Sequence, residues 1–244
     1  MSQLETKNEN VSNKKENGID SIVKKMESMN IRMDMSEVIE KVSEILEKYK
    51  DDPLVEIEGR LGIYEEDSRT FGTNIGDEHY ENIKKLMMSG NRWKNTKEIL
   101  ETDYISKKLR LSVSDNGEQR CIEKKRLLNI NFIIDNGPID FRVSVSKEIP
   151  VDTDKFPLKS KCEHSRTKKR NTWEYKMWDF DLTEVRTNKK DSEEISYEFE
   201  IELRKNRNTI QDSKYLSESL ILKMFDVIGI CGTLSESCKI RIVD

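Results

Sequence analysis

Glutamates recur at every second position in two stretches, Val55-Glu56-Ile57-Glu58-Gly59-Arg60-Leu61 and Tyr197-Glu198-Phe199-Glu200-Ile201-Glu202-Leu203-Arg204. A strand sends alternate side chains to opposite faces. Read as strands, the first puts Glu56, Glu58 and Arg60 on one face. The second lines up Glu198, Glu200 and Glu202, with neighbours about 7 Å apart. Apolar residues take the other face of each. Clustered carboxylates raise each other's pKa unless a cation joins them. Oxygen donors without His or Cys suit a hard ion, Mg2+ or Mn2+.

Further rows carry the opposite sign. Arg166, Lys168 and Arg170 are spaced by two, as are Lys108 and Arg110, which run on to Ser112. Lys124 and Arg126 match, and so do Arg142, Ser144, Ser146 and Glu148; Asp179, Asp181 and Thr183 form one more row. Rows of Arg and Lys need anions, and phosphate oxygens fit them best. A carboxylate-held cation plus a basic cradle is the equipment of phosphoryl transfer.

The plain alternative is a half-buried antiparallel sheet whose charges face water. Two features weigh against it. Solvent faces mix signs, because like charges in a row repel, whereas here the signs are sorted strand by strand. The pattern also recurs over at least six strands. Polar faces turned into a closed lumen make an inside-out barrel, whose apolar outer face then needs cover.

Helical spacing supplies that cover. Val38, Ile39, Val42, Ile45, Leu46 and Tyr49 predict a helix begun by Asp34 and Glu37 and ended by Asp51-Asp52-Pro53. Tyr80, Ile83 and Met87 predict a second from Asp77, stopped by Gly90. Leu216, Leu220, Met224 and Val227 predict a third over 213–228, closed by Gly229. Strands are expected near 54–61, 103–113, 120–134, 139–149, 165–176, 178–186 and 195–204. Asp115-Asn116-Gly117, Asp135-Asn136-Gly137-Pro138 and Asn188-Lys189-Lys190-Asp191 mark turns between some of them. Such hairpins point to an antiparallel sheet or barrel rather than βαβ units. Residues 1–18 read as a disordered polar tail, 19–244 as one domain, and 150–164 as a surface loop.

Composition narrows the function. The 43 basic and 47 acidic residues among 244 leave a net charge of −4. A polyanion must therefore meet a local concentration of Lys and Arg rather than a basic surface. Four dispersed cysteines without a CxxC pair read as reduced thiols. With no apolar run of about 20 residues, the reading is a soluble, intracellular protein without a membrane partner. No G-x-x-x-x-G-K-[ST] loop is present. His79 and His164 lack ligand-spaced neighbours, so neither a metal role nor a Ser-His-Asp apparatus is supported. Trp93, Trp173 and Trp178 offer rings for stacking on a base, but packing against the barrel wall is the expected role of each.

Together, VEIEGRLG, YEFEIEL, the basic RTKKRNTWEY and the following WDFDLTEV resemble, in the same order, the metal-dependent RNA triphosphatases of fungi, protozoa and large DNA viruses. These are triphosphate tunnel metalloenzymes. The resemblance covers roughly residues 54–204. It implies an α+β fold: a closed, eight-stranded antiparallel barrel with a charged lumen and a few amphipathic helices outside. It also implies Glu56, Glu58 and Glu202 as ligands of Mg2+ or Mn2+, with Glu200 and Glu198 beside them. Arg166, Lys168 and Arg170 become the clamp on the β- and γ-phosphates, and Arg110 and Lys124 further contacts. Glu148 orients the attacking water, Asp181 and Thr183 support the basic strand, and Arg60 and Arg142 support the substrate. Arg60 stands where the thiamine-triphosphatase and adenylate-cyclase branch has Lys, which favours the capping branch.

The implied reaction is hydrolysis of the γ-phosphate of triphosphate-ended RNA, the first step of mRNA capping. Tripolyphosphate or free nucleoside triphosphate is the alternative substrate, and a non-catalytic nucleic-acid-binding β-module the alternative class. Capping also needs a guanylyltransferase, and its K-x-D-G motif does not occur here. The chain is then a separate triphosphatase or a domain of a longer one, and its end at Asp244 fits a cut. A viral member would work in the virion or the host-cell cytoplasm.

Overall fold

The alternation in the sequence becomes long antiparallel strands that close on themselves. The computed structural model describes residues 35–159, 162–189, 192–204, 212–235 and 238–244. The expected polar tail and the Asp34 cap lie outside these residues. In chain order the elements are α1 (Met35–Tyr49), β1 (Val55–Glu65), β2 (Thr70–Gly72), α2 (Gly76–Ser89), β3 (Asn95–Ser106), β4 (Leu109–Ser114), β5 (Gln119–Asp135) and β6 (Asp140–Val151). A 3-10 turn (Thr153–Lys155), β7 (His164–Tyr175), β8 (Trp178–Lys189), β9 (Ser192–Leu203), α3 (Ser213–Cys231) and β10 (Lys239–Val243) follow. Each strand of the ring β1-β6-β5-β4-β3-β7-β8-β9 pairs with the next, and β9 returns to β1. Eight strands leave an interior that side chains can line. β2 folds back on β1, and β10 adds to β5 outside the ring.

The hydrophobic core lies outside this ring. Val55, Ile57 and Leu61 of β1, Val143 and Val145 of β6, and Phe199 and Ile201 of β9 pack with Leu220, Met224 and Phe225 of α3. α1 in turn buries Val38, Val42, Ile45 and Leu46. Phe132 and Phe141 stack at 4.5 Å, and Phe141 meets Phe225 edge-on at 5.9 Å. At Gly59 α3 approaches the wall closely. A Cβ there would stand 2.9 Å from Met224 Sδ and 3.3 Å from Leu220 Cδ1.

Several boundaries differ from the sequence expectation. The strand expected over 103–113 is two, β3 and β4, joined by a turn at Lys107-Lys108. Lys107 takes φ 54°, a left-handed conformation with neither Gly nor Asn to announce it. β3 also begins at Asn95, earlier than its polar residues suggested. His164 opens β7 instead of sitting in a loop. Gly229 lies inside α3, which ends at Gly232, because packing on the barrel outweighs the cost of one helical glycine. The described part of the 150–164 spacer holds the end of β6 and the 3-10 turn.

β5 carries a register shift between Arg126 and Leu128. Before this bulge the even residues Lys124 and Arg126 face the lumen; after it Asn129 and Asn131 do. Unbroken alternation would have driven Ile130 and Phe132 into the charged interior. The bulge keeps both in the outer core, where they are 1% and 0% exposed.

Candidate active site in the barrel lumen

The two acidic strands are neighbours. Glu58 stands directly opposite Glu202, and Arg60 opposite Glu200. Across β8, Asp179 faces Glu202, Asp181 faces Glu200 and Thr183 faces Glu198. Glu56, Glu58, Glu198 and Glu200 are all buried. Like charges placed opposite each other destabilise a sheet, so this arc requires cations.

Protein side chains supply several. Lys124 Nζ is 2.6 Å from Glu56 Oε2, which also accepts from Ser146 Oγ at 3.0 Å. Arg60 donates from Nε to Glu58 at 2.8 Å, and its Nη2 lies 2.6 Å from Glu200. Arg166 donates to Glu198 at 2.6 Å. The effect on protonation is uneven. Burial would push the Glu56 carboxyl up, but Lys124 and Arg60 hold it well below the usual range. Burial likewise works against the Glu200 carboxylate, which Arg60 and Arg170 hold low. For Glu58 burial wins, helped by the charges of Glu56 and Glu200, and its pKa is pushed up to about 7.

The facing wall is basic. Lys168 is ion-paired with Asp103, a fully buried carboxylate that also accepts from Ser112 Oγ. Burial, with Arg170 and Arg110 nearby, lowers the Lys168 pKa although Asp103 opposes it. Arg170 Nη1 lies 2.9 Å from Asp181 Oδ2, while Thr172 donates to Asp181 Oδ1 at 2.6 Å. Asp181 thus fixes the aim of the Arg170 guanidinium, and burial raises its own pKa despite Arg170. Thr183 is 1% exposed, and its hydroxyl finds no hydrogen-bond partner. Glu148 sits opposite Lys124 in the β5–β6 register, 3.7 Å from its Nζ and 3.9 Å from Arg120. Arg110 reaches Asp103 at 3.8 Å.

The sequence-expected residues therefore share one lumen. Arg142 belongs to its outer part: its guanidinium lies over the Phe71 ring and donates to Asn131. Asp103 was missed, because the β3 face that carries it mixes Lys97, Ile99, Glu101 and Ile105 and shows no sorted sign. The tryptophans pack as expected. Trp178 is fully buried and donates to Ser219 at 3.0 Å, and Trp93 donates to the Met87 carbonyl. One mouth of the lumen is a cavity of about 450 Å³. Its lining includes Arg60, Lys107, Lys108, Arg110, Lys124, Arg126, Arg142 and Arg166, against Glu58 as the carboxylate.

Among the described residues no three His, Cys, Asp or Glu side chains stand close enough to hold a metal ion together; cationic heads stand between the carboxylates. The donor set still suits a hard divalent cation. Glu56, Glu58 and Glu202 offer oxygens only, Glu58 and Glu202 oppose each other directly, and Glu58 is left with a charge it carries poorly.

Known proteins share this fold. The ring matches the structure of the Schizosaccharomyces pombe Pct1 RNA triphosphatase with a TM-score of 0.64 at 18% identity, over 81% of this chain and 93% of that one. A second structure, of Pct1 in complex with the Spt5 CTD, matches at 0.65 and 17% identity over the same shares. Both show the shared fold. No curated protein matches the sequence. The family described as "mRNA capping enzyme, beta chain" matches residues 7–223, most of the chain. The chain belongs to that family.

Proposed function

We propose that this protein is a metal-dependent RNA 5′-triphosphatase, releasing the γ-phosphate from triphosphate-ended RNA as the first step of capping. One observation carries the reading: the carboxylates of β1 and β9 face each other across a single strand gap, while β7, β4 and β5 bring cations to the same lumen.

Glu56, Glu58 and Glu202 would hold Mg2+ or Mn2+, with Glu200 and Glu198 on the same face. Bound there, the ion would supply positive charge that neutralises the γ-phosphate. Arg166, Lys168 and Arg170 grip the β- and γ-phosphate oxygens, and their burial strengthens that grip. Lys124 and Arg110 add contacts. Asp181 holds Arg170 in its working orientation, and Thr183 keeps a hydroxyl for the same wall. Glu148 orients the attacking water and takes its proton as the oxygen bonds to the γ-phosphorus. The bond from that phosphorus to the β-phosphate oxygen breaks, leaving inorganic phosphate and diphosphate-ended RNA. A guanylyltransferase, in the same longer chain or another, would use that end.

The test is phosphate release from triphosphate-ended RNA, with Mg2+ or Mn2+ and with EDTA, for wild type and Glu58→Ala. The reading expects release that needs metal and collapses in the variant. Tripolyphosphate and a nucleoside triphosphate run alongside rank the substrates. No release from any of the three refutes an enzyme.

A further inference from the structure

The lumen has two unlike ends. At one, charges are matched: Lys97 Nζ lies 3.0 Å from Glu174, and Arg204 lies 3.0 Å from Glu174 and 3.3 Å from Asp179. At the other, they are not. The side chains of Lys107, Lys108 and Arg126 are exposed and have no carboxylate partner among the described residues; the Glu163 carboxylate accepts from the Lys107 backbone N–H at 3.1 Å, not from its ammonium. Arg142 joins them, held by Asn131 and the Phe71 ring rather than by an acid. Lys97, near the start of β3, and Lys107, just past its end, are about 33 Å apart in an extended chain. Burial and the charges of Arg126 and Arg60 lower the Arg142 pKa to about 10, as expected where cations crowd without anions.

The triphosphate clamp does not use this rim. In the proposed function the triphosphate is served by the buried Lys168, by Arg170, and by Arg110, Lys124 and Arg166. These last three line the same cavity but are less exposed than Lys107, Lys108 and Arg126. A free triphosphate ends there; an RNA continues outward with one anionic phosphodiester per nucleotide. We propose that the unpaired rim of Lys107, Lys108, Arg126 and Arg142 is a binding site for the first phosphodiesters of the RNA chain. The chain leaves through this mouth, and the rim makes the enzyme prefer RNA over tripolyphosphate. The inference rests on the lumen being a triphosphatase site.

The test compares wild type with the triple variant Lys107→Asn, Lys108→Ser, Arg126→Gln. Asn suits the left-handed turn at Lys107, and the three sites are exposed. Substrates are a short triphosphate-ended oligoribonucleotide and tripolyphosphate, across a salt series. The expected result is an RNA KM raised about tenfold or more at low salt, with kcat and tripolyphosphate kinetics within about twofold. The slope of log KM for RNA against log salt should become shallower by about 2, at roughly 0.7 per single-strand phosphate contact. An unchanged RNA KM overturns the rim while leaving the tunnel hydrolase in place. So does an equal loss on both substrates, which would make these cations part of the triphosphate pocket. If wild type hydrolyses neither, the triphosphatase reading fails. Fluorescence anisotropy in EDTA with a hydroxyl-ended oligoribonucleotide then judges the rim alone, and equal binding by wild type and variant overturns it.

Discussion

Replacing Glu58 by Gln should abolish activity and yet stabilise the metal-free protein at alkaline pH. In the folded state the Glu58 carboxyl is pushed from its ordinary value of 4.5 up to about 7, chiefly by burial and then by Glu56 and Glu200. Between those two values the native state binds more protons than the unfolded one. Stability is therefore fully present below 4.5 and is lost as pH rises through 7. At about 1.4 kcal/mol per pH unit, the gap costs about 3 kcal/mol above pH 7. At pH 5 the cost is about 1 kcal/mol or less. Gln mimics the protonated acid, so Glu58→Gln recovers this energy. For a domain of this size that is a Tm roughly 6–12 °C above wild type at pH 8 in EDTA, with most of the difference gone at pH 5. Adding Mg2+ or Mn2+ should raise the wild-type Tm at pH 8, since a ligand bound only by the native state stabilises it, and should raise that of Glu58→Gln far less. Calorimetry of both proteins at the two pH values, with and without metal, decides the matter. A variant less stable than wild type at pH 8, or a difference equal at both pH values, refutes the account of Glu58 as a buried charge awaiting a cation.

Three further outcomes follow from the same contacts. Lys168→Met leaves the fully buried Asp103 with Arg110 at 3.8 Å as its remaining close cation. It should cost about 3–5 kcal/mol in urea unfolding, and Lys168→Met with Asp103→Asn should recover most of that without recovering activity. Thr183→Val removes a buried hydroxyl that has no partner. Thermal unfolding should show stability unchanged or up to about 1 kcal/mol higher, while phosphate release falls through kcat. Gly59→Val drives its side chain against Met224 and Leu220. It should destabilise by about 1–3 kcal/mol, with Met224→Ala in the same chain giving part of that back.

How far the sequence could be read depended on which force left a periodic mark. Two-residue alternation is an unavoidable consequence of the pleat, so β1, β6, β7, β8 and β9 could be found. Sorting the signs told which face was the lumen. The helices declared their buried stripes, and Tyr80, Ile83 and Met87 are buried as spacing requires. The misses lie where geometry left no periodic mark. The β3–β4 hairpin turns on Lys107 with a positive φ, a strained choice that no turn-forming residue signals. Asp103 shares its face with apolar residues and a lysine, so its role appears only when β7 brings Lys168 beside it.

The bulge in β5 is a different case, for its mark was present and could have been used. Along Lys124-Lys125-Arg126-Leu127-Leu128-Asn129-Ile130-Asn131, Lys124 and Arg126 sit on even numbers and Asn129 and Asn131 on odd ones, with Lys125 alone out of step and paired to Glu123. No unbroken strand can put both sets on one face, so one residue had to be left out of register between them. The structure places the shift there, and Leu127 is 41% exposed. The cost of that exposed leucine is small beside the alternative. Without the bulge, Ile130, Phe132 and Ile134 would face the charged lumen, and Asn129 and Asn131 the apolar core. A change of parity in a charged strand is thus a structural instruction in its own right. It preserves the sorting of acids and bases on which the chemistry of this lumen depends.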